Sequence, residues 1–590
     1  MLAYHNNEDL RKKNIDPKYF FLYQTWKELT DFRTMDSYQY KVMNTLSCIR
    51  ELVEVIDNRL SGVYNTDHNV EECKLETREV IRKDRVLSIY YANYWKVALS
   101  NLSVKTETNA KKKALRYQLE YIFNIIQKDY MNKLIELWED DIDSGKTRNI
   151  IEDTDKIISL CITNGWSTNA LYAFPEILID SVTDDGKWEL FRSRILDREM
   201  TEYHVILPFK YRFFCDKKNI NVRSRIRSMG ASDYQIEDRE VIKGNYPYID
   251  NLENTGEFVD ISVFAHDYYS ASHIALSRHA NILNMFSFYN IIEAWSIKDI
   301  SWKSVNISKE KYVSLTAKNL YVTHNYMEGA NRGFRDVRQV FDYKDVAERL
   351  NSVFFYTNMS RVSYAIEEKY MNMWVALESL CRTSVGSNII GNVLDLVPAA
   401  ICRGYIHRKI RNFIEDCSRC DIKIEKYDIN YLEQDKDKLV KDMICVFKNE
   451  KKYQTLLSDT QINDLLNERA KEMYNLVESD ENIIDAINRH RQNVSLQLSR
   501  LYRIRNSIAH TGMKEDVKVV RYIEHMEDYL KLVIMEIVRC MTDNNLNDIE
   551  IAIEMIKDEH NLFKDLSSGK KGAKTALVSK ILETGYIDLL

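Results

Sequence analysis

The stretch VSLQLSRLYRIRNSIAHTG, residues 494–512, determines how we expect the C-terminal half of this chain to fold. Its apolar side chains recur every three or four residues, which predicts a single α-helix with one buried face. These side chains are Val494, Leu498, Leu501, Ile504 and Ile508. Gly512 is a residue type that commonly ends a helix. At about 100° per residue, Arg505 falls inside the apolar sector, and His510 lies roughly 140° further round in the last turn.

Arg505 and His510 are a pair suited to cutting RNA without a metal. A histidine can take or give a proton near neutral pH, and a guanidinium can hold a phosphate as charge builds on it. The structural alternative is a buried arginine that bridges carboxylates or carbonyls, with the histidine capping the helix end. Spacing alone favours this alternative, because an arginine and a histidine five positions apart recur by chance.

The composition indicates a soluble, cytoplasmic protein that is rich in helix. At 590 residues the chain is too long for a single core, and it has only 16 Gly and 5 Pro. No apolar run reaches the roughly 20 residues that a membrane span needs. The N-terminus, MLAYHNNEDLRKKNID, has no apolar signal core.

The ten cysteines are scattered, and we expect most of them to be reduced and buried. Cys417 and Cys420 form the only CxxC pair, with Cys402, His407 and Cys445 as weak candidates for further metal ligands. Zinc sites usually show two such pairs, so the sequence predicts no metal. It carries no Walker A loop, no GxGxxG and no HExxH, and we predict no cofactor.

Positive charge is concentrated around residues 494–512. The whole chain carries a net charge of -6, yet residues 486–514 contain no acidic residue. The cations of this segment are Arg489, Arg491, Arg500, Arg503, Arg505 and Lys514. A local basic patch on an acidic protein suits a site that engages phosphates, and the alternative is a solvated helix face.

The middle of the chain has the pattern of an α+β domain with a small sheet. YHVILPFKYRFF (203–214) is β-prone, and EFVDISVFAH (257–266) alternates apolar and polar residues as a half-buried strand does. Asp267 is placed to cap a long helix over 268–289, and YVSLTAKNLYVTHNYM (312–327) reads as a strand or hairpin.

The rest of the chain is mainly α. The apolar spacing predicts one helix over 109–143 and another long helix over 359–380. We divide the chain into an N-terminal helical region (1–185), the α+β domain (186–350), a helical bundle (351–545) with an irregular insertion at 416–452, and a helical tail (546–590).

Residues 355–541 resemble the HEPN superfamily, and its ApeA-like branch in particular. The resemblance is carried by MNMWVALESL (371–380) and LYRIRNSIAHTG (501–512). Arg505, Asn506 and His510 match the family's arginine, polar residue and histidine, and Glu378 matches a recurrent acidic position as a possible helper. The α+β segment is similar to domains that precede such bundles.

The resemblance implies a C-terminal HEPN-type bundle with metal-independent endoribonuclease activity, formed where two chains meet at their motif helices. His510 would act as general base or acid, Arg505 would stabilise the pentavalent phosphate, and Asn506 would orient one of them. The products would carry a 2′,3′-cyclic phosphate or 3′-phosphate and a 5′-hydroxyl. Candidate RNA contacts are Arg500, Arg503, Arg403, Arg408 and Lys409.

Proteins of this kind resemble antiphage, abortive-infection effectors that cut host or phage RNA, tRNA among the candidates. The middle domain would then be a sensor. Besides a second copy of the chain, the candidate partners would be a phage-derived activator or an antitoxin. The alternatives are a non-catalytic HEPN dimerisation or nucleotide- or RNA-binding module, and a purely helical adaptor. A second arginine–histidine pair, Arg198 and His204, lies at the edge of a β-prone stretch, and we interpret it as chance.

Overall fold

The structure is a computed structural model of the chain. It describes residues 5–31, 43–64, 66–180, 184–210, 223–224, 226, 232–288, 292, 301–316, 337–363, 365–384, 389–429, 436–511 and 519–584.

Helices make up the chain before the sheet. They are α1 (Asn7–Lys12), α2 (Phe20–Thr30), α3 (Thr45–Leu60), α4 (His68–Arg82), α5 (Arg85–Tyr90), α6 (Ala92–Ser103), α7 (Asn109–Ile126), α8 (Tyr130–Asp143), α9 (Thr147–Thr163), α10 (Thr168–Ala173), α11 (Ile177–Asp180) and α12 (Asp184–Leu196). Polar caps define several starts: the side chains of Asn44, Asp84 and Thr108 each accept a backbone hydrogen bond from the first turn of their helix.

The stretch 109–143 forms two helices, so the prediction of a single helix is wrong. The expected apolar stripe is nevertheless buried along its whole length, from Leu115 in α7 to Leu137 in α8. The break falls at residues 127–129, between Ile126 and Tyr130 of the stripe. Because that step of four residues spans the turn, apolar spacing alone does not reveal it.

The middle region is a five-stranded antiparallel sheet in the order β2-β3-β1-β4-β5. Its elements are β1 (Thr201–Pro208), β2 (Tyr234–Asp238), α13 (Arg239–Asn245), β3 (Glu257–Ala265), α14 (Tyr268–Phe288), β4 (Ser301–Asn306) and β5 (Lys311–Thr316). Val205 of β1 lies opposite Ile261 of β3 and Ser304 of β4. One face packs on α14, and α13 with the loop after it covers part of the other.

The β-prone stretch 203–214 forms a strand as far as residue 208, and its residues 211–214 lie outside the described part of the chain. The strand predicted over 257–266 is present over 257–265, and the capping of α14 by Asp267 is confirmed. The Asp267 carboxylate accepts hydrogen bonds from the backbone nitrogens of Tyr269 (2.8 Å) and Ser270 (2.9 Å). The strand predicted from residue 312 is present as far as Thr316, and residues 317–327 lie outside the described part of the chain. The pattern does not predict β2 or β4, because each is only five or six residues long and rich in polar residues.

The C-terminal helices form a packed bundle. They are α15 (Lys344–Val362), α16 (Ile366–Cys381), α17 (Ile389–Cys402), α18 (Tyr405–Arg419), α19 (Lys436–Lys448), α20 (Glu450–Asp459), α21 (Asp464–Glu478), α22 (Asp480–Thr511), α23 (Val519–Asp543), α24 (Ile549–Ser567) and α25 (Lys571–Thr584). The last two confirm the predicted helical tail with a break near 568–570.

Two expectations for this bundle are wrong. The stretch 359–380 is divided between two helices, since α15 ends at Val362 and α16 begins at Ile366; the Ser360 hydroxyl donates to the carbonyl of Lys369 (2.8 Å) where they pack together. The stretch 416–452 is not irregular throughout, since it contains α19. Val440, Met443 and Phe447 of α19 are buried, and its lysines Lys438, Lys441 and Lys448 lie on the exposed side.

The N-terminal helices and the C-terminal bundle share one apolar core. At their junction Arg469 of α21 pairs with Glu28 of α2 (2.7 Å), and the Asn7 side chain donates to Asp464 (2.7 Å). The α+β region is thus inserted between two halves of a single helical body. Within the described ranges, no helix has the length and apolar character to cross a membrane.

Candidate functional site

The RNSIAH sequence lies in the last turns of α22, as predicted. Val494, Leu498 and Leu501 are fully buried, whereas Ile504 and Ile508 are only partly buried against the core. The stripe is therefore confirmed, and the helix emerges from the core towards its C-terminal end. Arg505 and Asn506 sit at this exit, each half-buried.

Arg505 has no carboxylate partner among the described residues. Its Nη1 donates to Oδ1 of Asn506 at 3.2 Å, and its buried Nε finds no acceptor in the described part of the chain. The arrangement differs from the alternative of an arginine bridging carboxylates. A half-buried guanidinium whose charge is unmatched is well suited to receive an anionic group.

His510 belongs to α22 by its backbone, one residue before the end of the helix. Its side chain lies outside what the structure describes, as do residues 512–518, which include the predicted stop at Gly512. The relative placement of Arg505 and His510 therefore remains the prediction made from the spacing.

Arg500 and Arg503, expected to contact RNA, are buried against the N-terminal helices instead. Arg500 pairs with Glu51 of α3 (3.0 Å) and Glu76 of α4 (2.5 Å), and Arg503 pairs with Glu51 (2.7 Å). Burial would raise the pKa of Glu51, but the charges and hydrogen bonds of the two arginines lower it to about 2. These pairs leave Arg500 and Arg503 little cationic surface to offer a phosphate. Nothing local in the sequence indicates this, since the partners are more than 400 residues apart.

The remaining candidate RNA contacts lie elsewhere in the bundle. Arg403 is buried and pairs with Glu559 (3.1 Å) and, more loosely, with Glu536 (3.8 Å). Arg408 donates to the backbone carbonyls of Ile401 and Arg403.

Lys409 lies over the ring of Tyr405, which stacks on His490 of α22 at 3.7 Å between ring centroids. Since His490 precedes Arg505 by fifteen residues, Lys409 lies about 22 Å along α22 from the motif. The structure thus separates the five predicted RNA contacts into different parts of the molecule.

Two neighbouring helices hold the end of α22 in place. The Tyr370 hydroxyl of α16 donates to the carbonyl of Leu501 (2.6 Å), and Gln497 hydrogen-bonds with His525 and Tyr529 of α23. Sequence reasoning missed this buried network, which has no local signal. Glu378 lies one turn beyond Trp374 of α16 and makes no hydrogen bond or ion pair with the described residues.

The candidate metal ligands do not come together. Cys417 and Cys420 are both buried, and burial raises the pKa of Cys420 to about 12 and that of Cys417 well above its usual range. His407 lies 3.2 Å from the carbonyl of Leu582, and Cys445 is exposed. No group of three or more histidine, cysteine or acidic side chains within the described ranges could hold a metal ion.

His204, half of the second arginine–histidine pair, belongs to a hydrogen-bonded cluster on the sheet. Its Nδ1 lies 2.7 Å from both Asp260 Oδ1 and the Tyr246 hydroxyl, which donates to Asp260 Oδ2 (2.7 Å). These contacts join β1, β3 and the loop after α13. They give His204 a structural role, which agrees with the interpretation that the Arg198–His204 pair is unrelated to the RNSIAH sequence.

Comparison of the chain with protein-family models, curated proteins and solved structures found no match. Function is therefore inferred from the residues at the end of α22 and from what surrounds them.

Proposed function

We propose that this chain is a metal-independent endoribonuclease of the HEPN type. The observation that carries the proposal is Arg505: it lies where α22 leaves the core, and no carboxylate of the described chain matches its charge. A phosphodiester bound at this point would supply the missing negative charge. The RNSIAH sequence places a histidine within the same two turns.

In the proposed reaction the ribose 2′-hydroxyl attacks the adjacent phosphorus. His510 takes the hydroxyl proton as a base or gives a proton to the leaving 5′-oxygen as an acid, and solvent water completes the other transfer; Arg505 stabilises the charge on the pentavalent phosphate. Asn506, already hydrogen-bonded to Arg505, orients the guanidinium. The bond to the 5′-oxygen breaks, which leaves a 2′,3′-cyclic phosphate and a 5′-hydroxyl.

The active unit in this proposal is a homodimer, because each chain supplies one motif and the HEPN type of site needs two. Within each chain, the ion pairs of Arg500 and Arg503 hold one side of α22 against α3 and α4. The same proposal includes an antiphage, abortive-infection role in which the protein cuts host or phage RNA, tRNA included. It also includes a cytoplasmic location and a partner that is a phage-derived activator or an antitoxin.

The experiment is cleavage of total RNA by the purified protein with EDTA present. Wild-type protein should cut, and Arg505→Ala and His510→Ala should lower the rate by about 100- to 10,000-fold, the usual value of a proton-transfer or charge-stabilising group. His68→Ala and Arg148→Ala are matched controls, since both side chains are mostly exposed on the N-terminal helices. Both controls should cut at the wild-type rate.

Two results would contradict the mechanism. One is activity that EDTA abolishes and magnesium restores. The other is a folded His510→Ala protein that cuts RNA as fast as the wild type. In the second case a non-catalytic dimerisation or nucleotide- or RNA-binding module would explain RNSIAH better.

A further inference from the structure

Five cations towards the other end of α22 have no acidic partner among the residues that the structure describes. They are Arg408 and Lys409 of α18, Arg489 and Arg491 of α22, and Lys564 of α24. Within the described ranges, none of the five forms an ion pair, and their hydrogen bonds go to carbonyls or to the amide of Asn561. This contrasts with Arg403, Arg500 and Arg503 of the same bundle, each of which meets at least one carboxylate.

Three of these cations converge from three helices. All three lie near Cys402, a buried residue whose thiol donates to the carbonyl of Ile487 of α22 (3.9 Å). Burial raises the pKa of Cys402 to about 12, and the charges of Arg408, Arg491 and Lys564 all act on it in the opposite direction. Side chains from α18, α22 and α24 therefore place their positive charges around one point.

A buried histidine beside these cations lacks hydrogen-bond partners. His560 of α24 is 4% exposed, and neither of its ring nitrogens has a partner among the described residues. Arg491, which lies near His560, also has a buried Nε without an acceptor. Burial lowers the pKa of His560 to about 3, so its neutral ring carries one N–H. That N–H and the Nε–H of Arg491 are two buried donors without an acceptor, and buried donors are normally paired.

The surface next to the cluster is concave and open. Arg489 and Arg491 line a hollow of about 750 Å³ together with Asn488, Gln492 and Ser495. This volume is within the range of small-molecule sites. One carboxylate, Asp485, also lines the hollow, and Asp395 and Asp565 lie near Lys564. These three acids are exposed and pair with none of the five cations.

We propose that this basic hollow, lined by Arg489 and Arg491 and with Arg408, Lys409 and Lys564 near it on α18 and α24, binds the phosphate groups of a nucleotide-sized anion or of a nucleic-acid strand. Arginine forks and a lysine ammonium are the groups that proteins use for phosphate, and His560 and Arg491 supply donors that have no other acceptor. Arg491 precedes Arg505 by fourteen residues, so the hollow lies about 21 Å along α22 from the RNSIAH motif. It is therefore a second anion site, and its existence does not depend on RNA cleavage.

Calorimetric titration of the full chain tests the proposal, with EDTA present and three probes. The probes are inorganic tripolyphosphate, ATP and a single-stranded DNA of about ten nucleotides, which has no 2′-hydroxyl to be cleaved. At least one probe should bind, more weakly as salt is raised. Arg491→Ala combined with Lys564→Ala should weaken that binding at least tenfold. Arg148→Ala, which removes the same charge from α9, should leave it unchanged.

A second variant guards against a folding defect. Arg489→Glu reverses a charge on an exposed side chain that lines the hollow, and it should also weaken binding at least tenfold. Tighter binding of ATP or tripolyphosphate than of the strand would identify a free nucleotide as the source of the phosphates, and the reverse order would identify a strand. The proposal is overturned if no probe binds, or if Arg489→Glu and the double variant bind as the wild type does.

Discussion

Replacing Glu51 with glutamine should loosen the hold of the N-terminal helices on α22. Glu51 is the carboxylate that Arg500 and Arg503 share, and the side chains involved are 18%, 7% and 5% exposed. Arg500 keeps Glu76, but Arg503 loses its only carboxylate among the described residues. Breaking a buried ion pair by removing one partner costs about 3–5 kcal/mol. The lowering of the pKa of Glu51 from 4.5 to about 2 corresponds to roughly 3 kcal/mol, in agreement.

The loss should be measured by thermal unfolding and by hydrogen exchange. Since the entropy of unfolding grows with chain length, ~3 kcal/mol in a protein of this size moves the melting temperature by only about 3 °C. Amide exchange should therefore be followed in α3 and at the end of α22, where local opening should become faster. Glu54→Gln is the matched control, because Glu54 is exposed on the same helix.

The pH dependence provides an independent check. The folded-state pKa of Glu51 is lowered, so the stability that its carboxylate contributes is complete above pH 4.5 and disappears as the pH falls towards 2. The difference between wild type and Glu51→Gln should shrink over that interval. Equal melting temperatures at neutral pH, together with unchanged exchange in α22, would refute the role assigned to these ion pairs.

Three further outcomes are expected. Light scattering at micromolar concentration should give the mass of a homodimer or larger assembly, and an active monomer would contradict the proposed site. Burial lowers the pKa of Lys369 from 10.5 to about 7. Between these two values the unfolded chain binds a proton that the folded chain has lost, so the free energy of unfolding of the wild type should rise as the pH increases from 7 to 10. Lys369→Met should have a higher melting temperature than the wild type at pH 7 and should not show this rise. Asp267 caps α14 and also accepts hydrogen bonds from the backbone nitrogen (2.9 Å) and the hydroxyl (2.8 Å) of Ser167. Asp267→Asn should therefore lower the free energy of unfolding by about 2–4 kcal/mol. Unchanged exchange at the starts of α10 and α14 in Asp267→Asn would count against that junction.

Much of the secondary structure follows from local pattern. The burial of Val494, Leu498 and Leu501 agrees with the apolar spacing of α22, and the strand predicted around 257–265 is β3. The expected half-buried alternation does not hold at residues 258–261, which are all buried. The same reasoning fails at residues 127–129 and between Val362 and Ile366. At both places the steps of three and four continue from one helix into the next, because spacing records which residues are buried and not where a helix ends.

By itself the sequence determined most of the helical segments, where the sheet begins and that Arg505 lies in an apolar sector, because helix and strand periods are properties of neighbouring residues. Only the tertiary structure decided which cations form ion pairs with acidic side chains. Arg500 and Arg503 meet Glu51 from the other end of the chain, whereas Arg505 and the five cations of the basic hollow meet no acid in the described ranges. A buried charge is matched by whatever element packs against it, and such a partner lies hundreds of residues away with no local trace.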